Sequence, residues 1–120
     1  MPKDTVMDID TQIESVELSI KQAELHINGK ESLEKLTKNP EFTSIILEGY
    51  FKEEASRLVL LKAEPSMQGI EEQTQITKSI DSIGYLRQYF NTMMQFGKMA
   101  EKALEDHRET LDELRKEGVA

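Results

Sequence analysis

The sequence predicts an all-α protein, arranged as a three-helix bundle or an extended helical hairpin with coiled-coil character and a long C-terminal helix. Apolar residues recur at alternating steps of three and four over two long segments, which is the spacing of a heptad seam. The 120-residue chain has only three prolines, and only 6% of its residues are aromatic. Stretches rich in Val, Thr and aromatic residues are scarce, which argues against a β fold.

The first helix is predicted over residues 8–28. Its heptad seam consists of Ile9, Ile13, Val16, Ile20, Ala23 and Ile27. Asn28-Gly29 is a turn or C-cap signal, so we expect a turn or helix end there. A short continuation to residue 38 is the alternative, because Leu33 and Leu36 could extend the apolar pattern.

The second helix is predicted over residues 40–63, with Pro40 suited to its first position. Its apolar residues cover more than one face, which predicts a helix packed between neighbours. Gly49 lies in its interior, where glycine costs up to about 1 kcal/mol relative to alanine. We therefore interpret Gly49, like Gly84 and Gly97 in the third helix, as a point of close approach between helices.

The third helix is predicted over residues 70–116 and would be roughly 65–70 Å long. Its seam keeps the alternation of three and four from Ile83 to Leu114. One short helix cannot cover this length, so the third helix must pair with both other helices or with another chain. Residues 1–120 are expected to form a single helical domain.

The composition limits the classes of partner. The formal net charge is −8, with 38% apolar and 32% charged residues. Nucleic acids and anionic membranes require a basic surface, so neither is expected as a direct partner. The N-terminal residues MPKDTVMDID lack an apolar h-region, so no signal peptide is expected. The chain contains no cysteine, which removes thiolate chemistry.

No catalytic, metal-binding or cofactor-binding residues are predicted. A dinuclear iron site in a helical bundle needs Glu-x-x-His pairs on facing helices. Here Ala23 stands three residues before His26, and Leu104 stands three residues before His107. The glycines are scattered and form no phosphate-binding loop. The sequence therefore favours a protein that is not an enzyme and needs no cofactor.

A charged group in the second and third helices has two interpretations. Glu53 and Glu54 precede Arg57 by four and three residues, and Arg87 lies on the third helix. The two carboxylates could serve acid–base chemistry, or the four residues could form a structural ion-pair network. Adjacent helical residues point about 100° apart and rarely share a substrate, which favours the structural interpretation.

Two groups in the third helix are candidates for a protein interface. Met93, Met94, Phe96 and Met99 form a soft patch that suits either a core or an adaptable binding surface. Leu104, Leu111 and Leu114 form a thin stripe among many charges, typical of either a solvated helix end or a coiled-coil contact. The sequence leaves open whether this stripe packs within the chain or against another chain.

The segments "NPEFTSIILEGYFKEEASRLVLLKAEP" and "IDSIGYLRQYF" resemble a pattern in small uncharacterised helical proteins of tailed bacteriophages. The resemblance implies a phage structural, assembly or adaptor protein in the host cytoplasm or the virion, acting as a homo-oligomer or with a protein partner. It supplies no catalytic residues. The alternative from charge is an acidic decoy that inhibits a basic, nucleic-acid-handling host protein, with Glu71-Glu72, Glu105-Asp106 and Asp112-Glu113 mimicking phosphates.

Overall fold

The computed structural model describes residues 8–119, and in this range the protein is all-α with no strand. The order is α1 (Ile9–Thr37), α2 (Pro40–Phe42), a π-helix (Thr43–Glu54), α3 (Ala55–Lys62), a 3₁₀ turn (Pro65–Met67) and α4 (Ile70–Val119). The predicted fold class and the long C-terminal helix are confirmed.

The described residues form two compact units. Unit 1 contains residues 8–31 and 93–119, and unit 2 contains Ser32–Thr92. The expectation of one helical domain over residues 1–120 stays a prediction. Its residues 1–7 and 120 lie outside the described part.

Helix α1 begins where the sequence predicts and ends at Thr37, so the alternative of a continuation to residue 38 is confirmed. The carboxylate of Asp8 accepts the backbone N–H of Thr11 at 2.7 Å. This hydrogen bond caps the helix and lowers the pKa of Asp8. The predicted turn at Asn28-Gly29 is wrong, because α1 continues without interruption to Thr37. Gly29 has no positive φ. A Cβ there would lie in ordinary contact with Met93, 3.6 Å from its Cε.

The second predicted helix has the expected span, but its middle is wound as a π-helix. The side chain of Asn39 caps its start by accepting the N–H of Phe42 at 3.0 Å. In a π-helix each N–H pairs with the carbonyl five residues earlier, which widens the turn. Twelve residues adopt this winding, whereas most π segments are single-turn bulges.

The π winding explains how two phenylalanines meet the same ring. Phe42 and Phe51 each place a ring centroid 5.9 Å from that of Phe90. They are nine residues apart, which is about two and a half turns of α-helix and would put them on opposite faces. In the wider winding, nine residues are close to two full turns, so both rings reach Phe90.

The core of unit 2 is small. Leu58, Ile76 and Ile83 form its buried cluster, with the half-buried side chains of Tyr50, Phe51, Ala55, Leu61, Met67 and Ile80 packed against it. The sequence predicts that the second helix packs between neighbours, because its apolar residues cover more than one face. Within unit 2 this packing is not observed. Ile45, Val59 and Leu60 are exposed by 66%, 59% and 71%.

The connection from α3 to α4 is fixed by two glutamine side chains. The amide of Gln68 donates to the carbonyl oxygens of Lys62 and Glu64, and that of Gln73 donates to those of Lys62 and Met67. Both amides thus donate to the carbonyl of Lys62, the last residue of α3, where the helix end leaves a carbonyl without a helical partner.

In unit 1, α1 and α4 run antiparallel. Ile9 lies near Gly118, and Gly29 lies near Met93, so the start of one helix meets the end of the other. The buried residues of this pair are Ala23, Gly97, Ala100, Leu111 and Leu114. They belong to the heptad stripes that the sequence predicts.

Three glycines were predicted to be points of close approach between helices, and the structure gives a different outcome for each. At Gly97 a Cβ would overlap Lys30 Cβ, so this prediction is confirmed. At Gly49 a Cβ would lie 2.9 Å from the carbonyl oxygen of Ser44, so the crowding comes from its own π-helix rather than from a second helix. At Gly84 a Cβ would meet nothing within 4 Å, and the prediction is wrong there.

Replacing Gly97 by alanine is expected to lower the free energy of unfolding by roughly 1–2 kcal/mol, because the overlap with Lys30 outweighs the better helix propensity. Gly84→Ala is the matched control in the same helix. It should raise the free energy of unfolding by roughly 0.5–1 kcal/mol, because the space is open. Urea denaturation measures both. Equal stabilisation by the two variants would show that α1 and α4 are not in tight contact at Gly97.

Gly49→Ala is expected to lower the free energy of unfolding by roughly 1 kcal/mol, because its Cβ would press on the Ser44 carbonyl oxygen. The same urea denaturation, again with Gly84→Ala as control, tests this. If Gly49→Ala stabilised the protein as much as the control does, the segment would be wound as an ordinary α-helix in solution.

Candidate protein-interaction surface

An open groove runs between α1 and α4 on one side of unit 1. Its volume is about 350 Å³. Its floor consists of small side chains, Ala23, Ala100 and Ala103, and its walls carry Ser19, Gln22, His26, Phe96, Met99 and His107. The His26 and Phe96 rings meet edge to face, with centroids 5.4 Å apart. The groove is lined mainly by apolar and uncharged polar atoms.

We call the lining of this groove the neutral face. On α1 it comprises Ser19, Gln22, Ala23 and His26, and on α4 it comprises Phe96, Met99, Ala100, Ala103 and His107. Leu18 and Leu25 lie outside it, because each stands two residues from a seam position on either side and so faces away from the seam.

The neutral face lacks formal charge in a chain that is 32% charged. Apart from His26 and His107, the residues that line the groove are not ionisable. Its two large apolar side chains are well exposed: Phe96 by 47% and Met99 by 67%. Exposed apolar side chains gathered in one patch are typical of an interaction site.

Close packing at the end of the groove explains why the neutral face is held in place. Gly97 lacks a side chain, and the methylenes of Lys30 fill the space above it. The ammonium group of Lys30 continues to Glu101, with Nζ 3.0 Å from Oε1, although its side chain is only 13% exposed. A second bridge joins the helices where Arg108 Nη2 lies 3.9 Å from Glu24 Oε1. These contacts fix the antiparallel register.

The structure divides the seven predicted interface residues into two groups. Phe96 and Met99 are exposed on the neutral face, whereas Met93, Met94 and Leu104 are half-buried. Leu111 and Leu114 are only 8% and 9% exposed. The structure corrects the expectation for these two leucines: the antiparallel α1 extends far enough to cover them within the chain.

The predicted ion-pair network is reduced to one local pair. Arg57 and Glu54 bond to each other along the same helix, with Arg57 Nη2 3.1 Å from Glu54 Oε2. This pairing lowers the pKa of Glu54 and raises that of Arg57. Among residues 8–119, no salt bridge reaches Glu53 or Arg87, and both side chains are exposed. The network is therefore not interhelical, because these side chains point into solvent.

Sequence reasoning missed the neutral face and both interhelical salt bridges of unit 1. The α1 wall of the neutral face could have been recognised from Ser19, Gln22 and His26, uncharged side chains three and four residues apart beside the main seam. The salt bridges required the register of the two helices, which depends on the close approach at Gly97.

In residues 8–119, no group of three or more His, Cys, Asp or Glu side chains is placed to hold a metal ion. None of the helices in the same range combines the length and apolar character needed to span a bilayer.

Comparison with known proteins finds no matching family model, curated protein or solved structure.

The assignment of Leu111 to packing within the chain can be tested with a matched pair of substitutions. Leu111→Ala should lower the free energy of unfolding by about 2–3 kcal/mol, because it empties part of the seam. Leu25→Ala, on an exposed side chain, should change it by less than about 0.5 kcal/mol. Thermal denaturation at several protein concentrations measures both. If the loss of unfolding free energy caused by Leu111→Ala disappeared on dilution, Leu111 would lie in a contact between chains.

Proposed function

We propose that the chain is a non-enzymatic protein that acts by helix–helix association with protein chains, as a structural, assembly or adaptor component of the kind found in tailed phages. The observation that carries the proposal is the neutral face of unit 1. Phe96 and Met99 remain exposed there, beside a groove lined by residues without formal charge. Contact between this surface and water is unfavourable. A bound protein partner would remove that contact.

The small cores of both units support the same proposal. The most buried side chain among the described residues, Leu58, is still 4% exposed. In unit 2, Ile45, Val59, Leu60 and Ile70 are exposed by 59–86%. A chain that leaves so many large apolar side chains uncovered gains more from association than a chain with a closed core.

The place of action belongs to the proposal as well. An assembly or adaptor protein of this kind would work in the cytoplasm of the host cell or as part of the virion. The resemblance of the segments around Gly49 and Gly84 to phage proteins supports this placement.

An acidic decoy is the second candidate, and the exposed carboxylates of unit 1 favour it. Glu105, Asp106, Asp112 and Glu113 are all exposed on α4. A basic partner would bind them through charge attraction, which salt weakens strongly. Apolar association differs in this respect, since salt screens no part of its driving force.

The absolute mass of the purified protein, measured by light scattering at about 0.05 M and about 1 M NaCl, separates the two candidates. We expect one discrete oligomer at both salt concentrations, because an uncharged apolar interface does not depend on ion pairs. A monomer at both concentrations would contradict self-association and favour the decoy. An oligomer that forms only at low salt would contradict the apolar mechanism.

A further inference from the structure

The π-helix of unit 2 has a winding that its own sequence does not require. Thr43–Glu54 contains no proline. The backbone on either side is α-helical, with φ −62° and ψ −45° at Phe42 and φ −59° and ψ −44° at Ala55. An ordinary α winding would therefore run through the segment without a break. Because π segments of this length are rare, a contact outside the segment must favour the wider turn.

That contact is made by the ring of Phe90 on α4. The rings of Phe42 and Phe51 meet it at interplanar angles of 54° and 63°, each with its centroid 5.9 Å away. Tilted and edge-to-face pairs of this kind stabilise a fold beyond the apolar area that they bury. In an α winding the two rings would lie on opposite sides of the helix, and only one of them would reach Phe90. The shared contact thus favours the π winding.

An α winding offers the core of unit 2 a different set of side chains. Leu58 is buried against Ile76 and Ile83, so its side of the helix faces α4. At about 100° per residue, Phe51 and Leu47 would lie on the same side as Leu58, at steps of seven and eleven residues. Phe42 would lie on the far side. Leu47 would therefore replace Phe42 as the side chain directed toward α4.

The two windings are favoured by opposing terms. The π winding gains the Phe42–Phe90 contact, but it brings the Cβ position of Gly49 to 2.9 Å from the carbonyl oxygen of Ser44. The α winding relieves this crowding and loses the ring contact. The buried cluster of unit 2 has only three members, so one aromatic contact is a large share of its packing. Two packings of one sequence can then be close in free energy.

We propose that Thr43–Glu54 is a two-state element, in which the contact of Phe42 with Phe90 selects the π winding. Loss of that contact rewinds the segment as an α-helix, which turns Phe42 outward and Leu47 toward α4. A binding event that draws Phe42 away from Phe90 would thereby change the winding as far as Ala55, because the two states differ in this contact. This device lies within unit 2 and goes beyond the proposed function, since it does not depend on the neutral face.

NMR couplings across backbone hydrogen bonds test the proposal, because they identify the carbonyl that each N–H contacts. In the π winding the N–H of Gly49 pairs with Ser44, and in an α winding it pairs with Ile45. We expect Ser44 as the acceptor in the isotope-labelled full chain and Ile45 in Phe42→Ala. Ile45→Ala is the matched control in the same segment. It should keep the Ser44 acceptor, because the Ile45 side chain is 66% exposed.

Gly49→Ala decides the question if Phe42→Ala does not fold. Its Cβ crowds the Ser44 carbonyl only in the π winding, and it leaves the rings of Phe42 and Phe90 in place. The N–H of residue 49 is then expected to pair with Ile45.

Three results would overturn the inference. A Ser44 acceptor in folded Phe42→Ala, or in Gly49→Ala where that variant decides, would show that the winding does not respond to the contact. An Ile45 acceptor in the unsubstituted chain would show that Phe42 does not select the π winding. Rewinding in the Ile45→Ala control would show that the effect is not specific to Phe42. None of these results bears on the proposed function, which is tested by the mass of the protein.

Discussion

A pair of helices can cover only the stripes that face each other, and this constraint determines the surface of unit 1. The seam between α1 and α4 uses Ala23, Ala100, Leu111 and Leu114 as its buried residues. At Gly97 the helices approach so closely that Lys30 occupies the space of a side chain. Phe96 and Met99 lie beside this seam, and no third helix among the described residues of unit 1 covers them. The neutral face therefore follows from the seam itself.

In unit 2 the constraint is different. The helix over residues 40–62 carries more apolar side chains than one neighbouring helix can bury. The π winding of Thr43–Glu54 brings Phe42 and Phe51 onto Phe90 together. Within this winding, a Cβ at Gly49 would lie 2.9 Å from the carbonyl oxygen of Ser44. The winding thus selects which side chains reach the core and leaves Ile45 outside it.

Most of the fold could be predicted from the sequence, since heptad spacing identifies α1 and α4 and Pro40 marks the start of the second helix. The π-helix could not be predicted, because the apolar periodicity was interpreted with the rotation per residue of an ordinary α-helix. Asn28-Gly29 resembles a turn locally, yet α1 runs through it to Thr37. Of the candidate site, Phe96 and Met99 were recognised, whereas Ser19, Gln22 and His26 on α1 escaped notice because apolar patterns do not register uncharged polar side chains.

The most direct test of the account observes the neutral face without substitution. Met99 lies on this face, and Met67 is half-buried in unit 2, so methyl NMR of protein labelled at methionine Cε reports on both. On dilution through the association range, the Met99 signal should shift as the interface opens, while the Met67 signal stays in place. A Met67 signal that shifts while the Met99 signal remains fixed would contradict association through the neutral face.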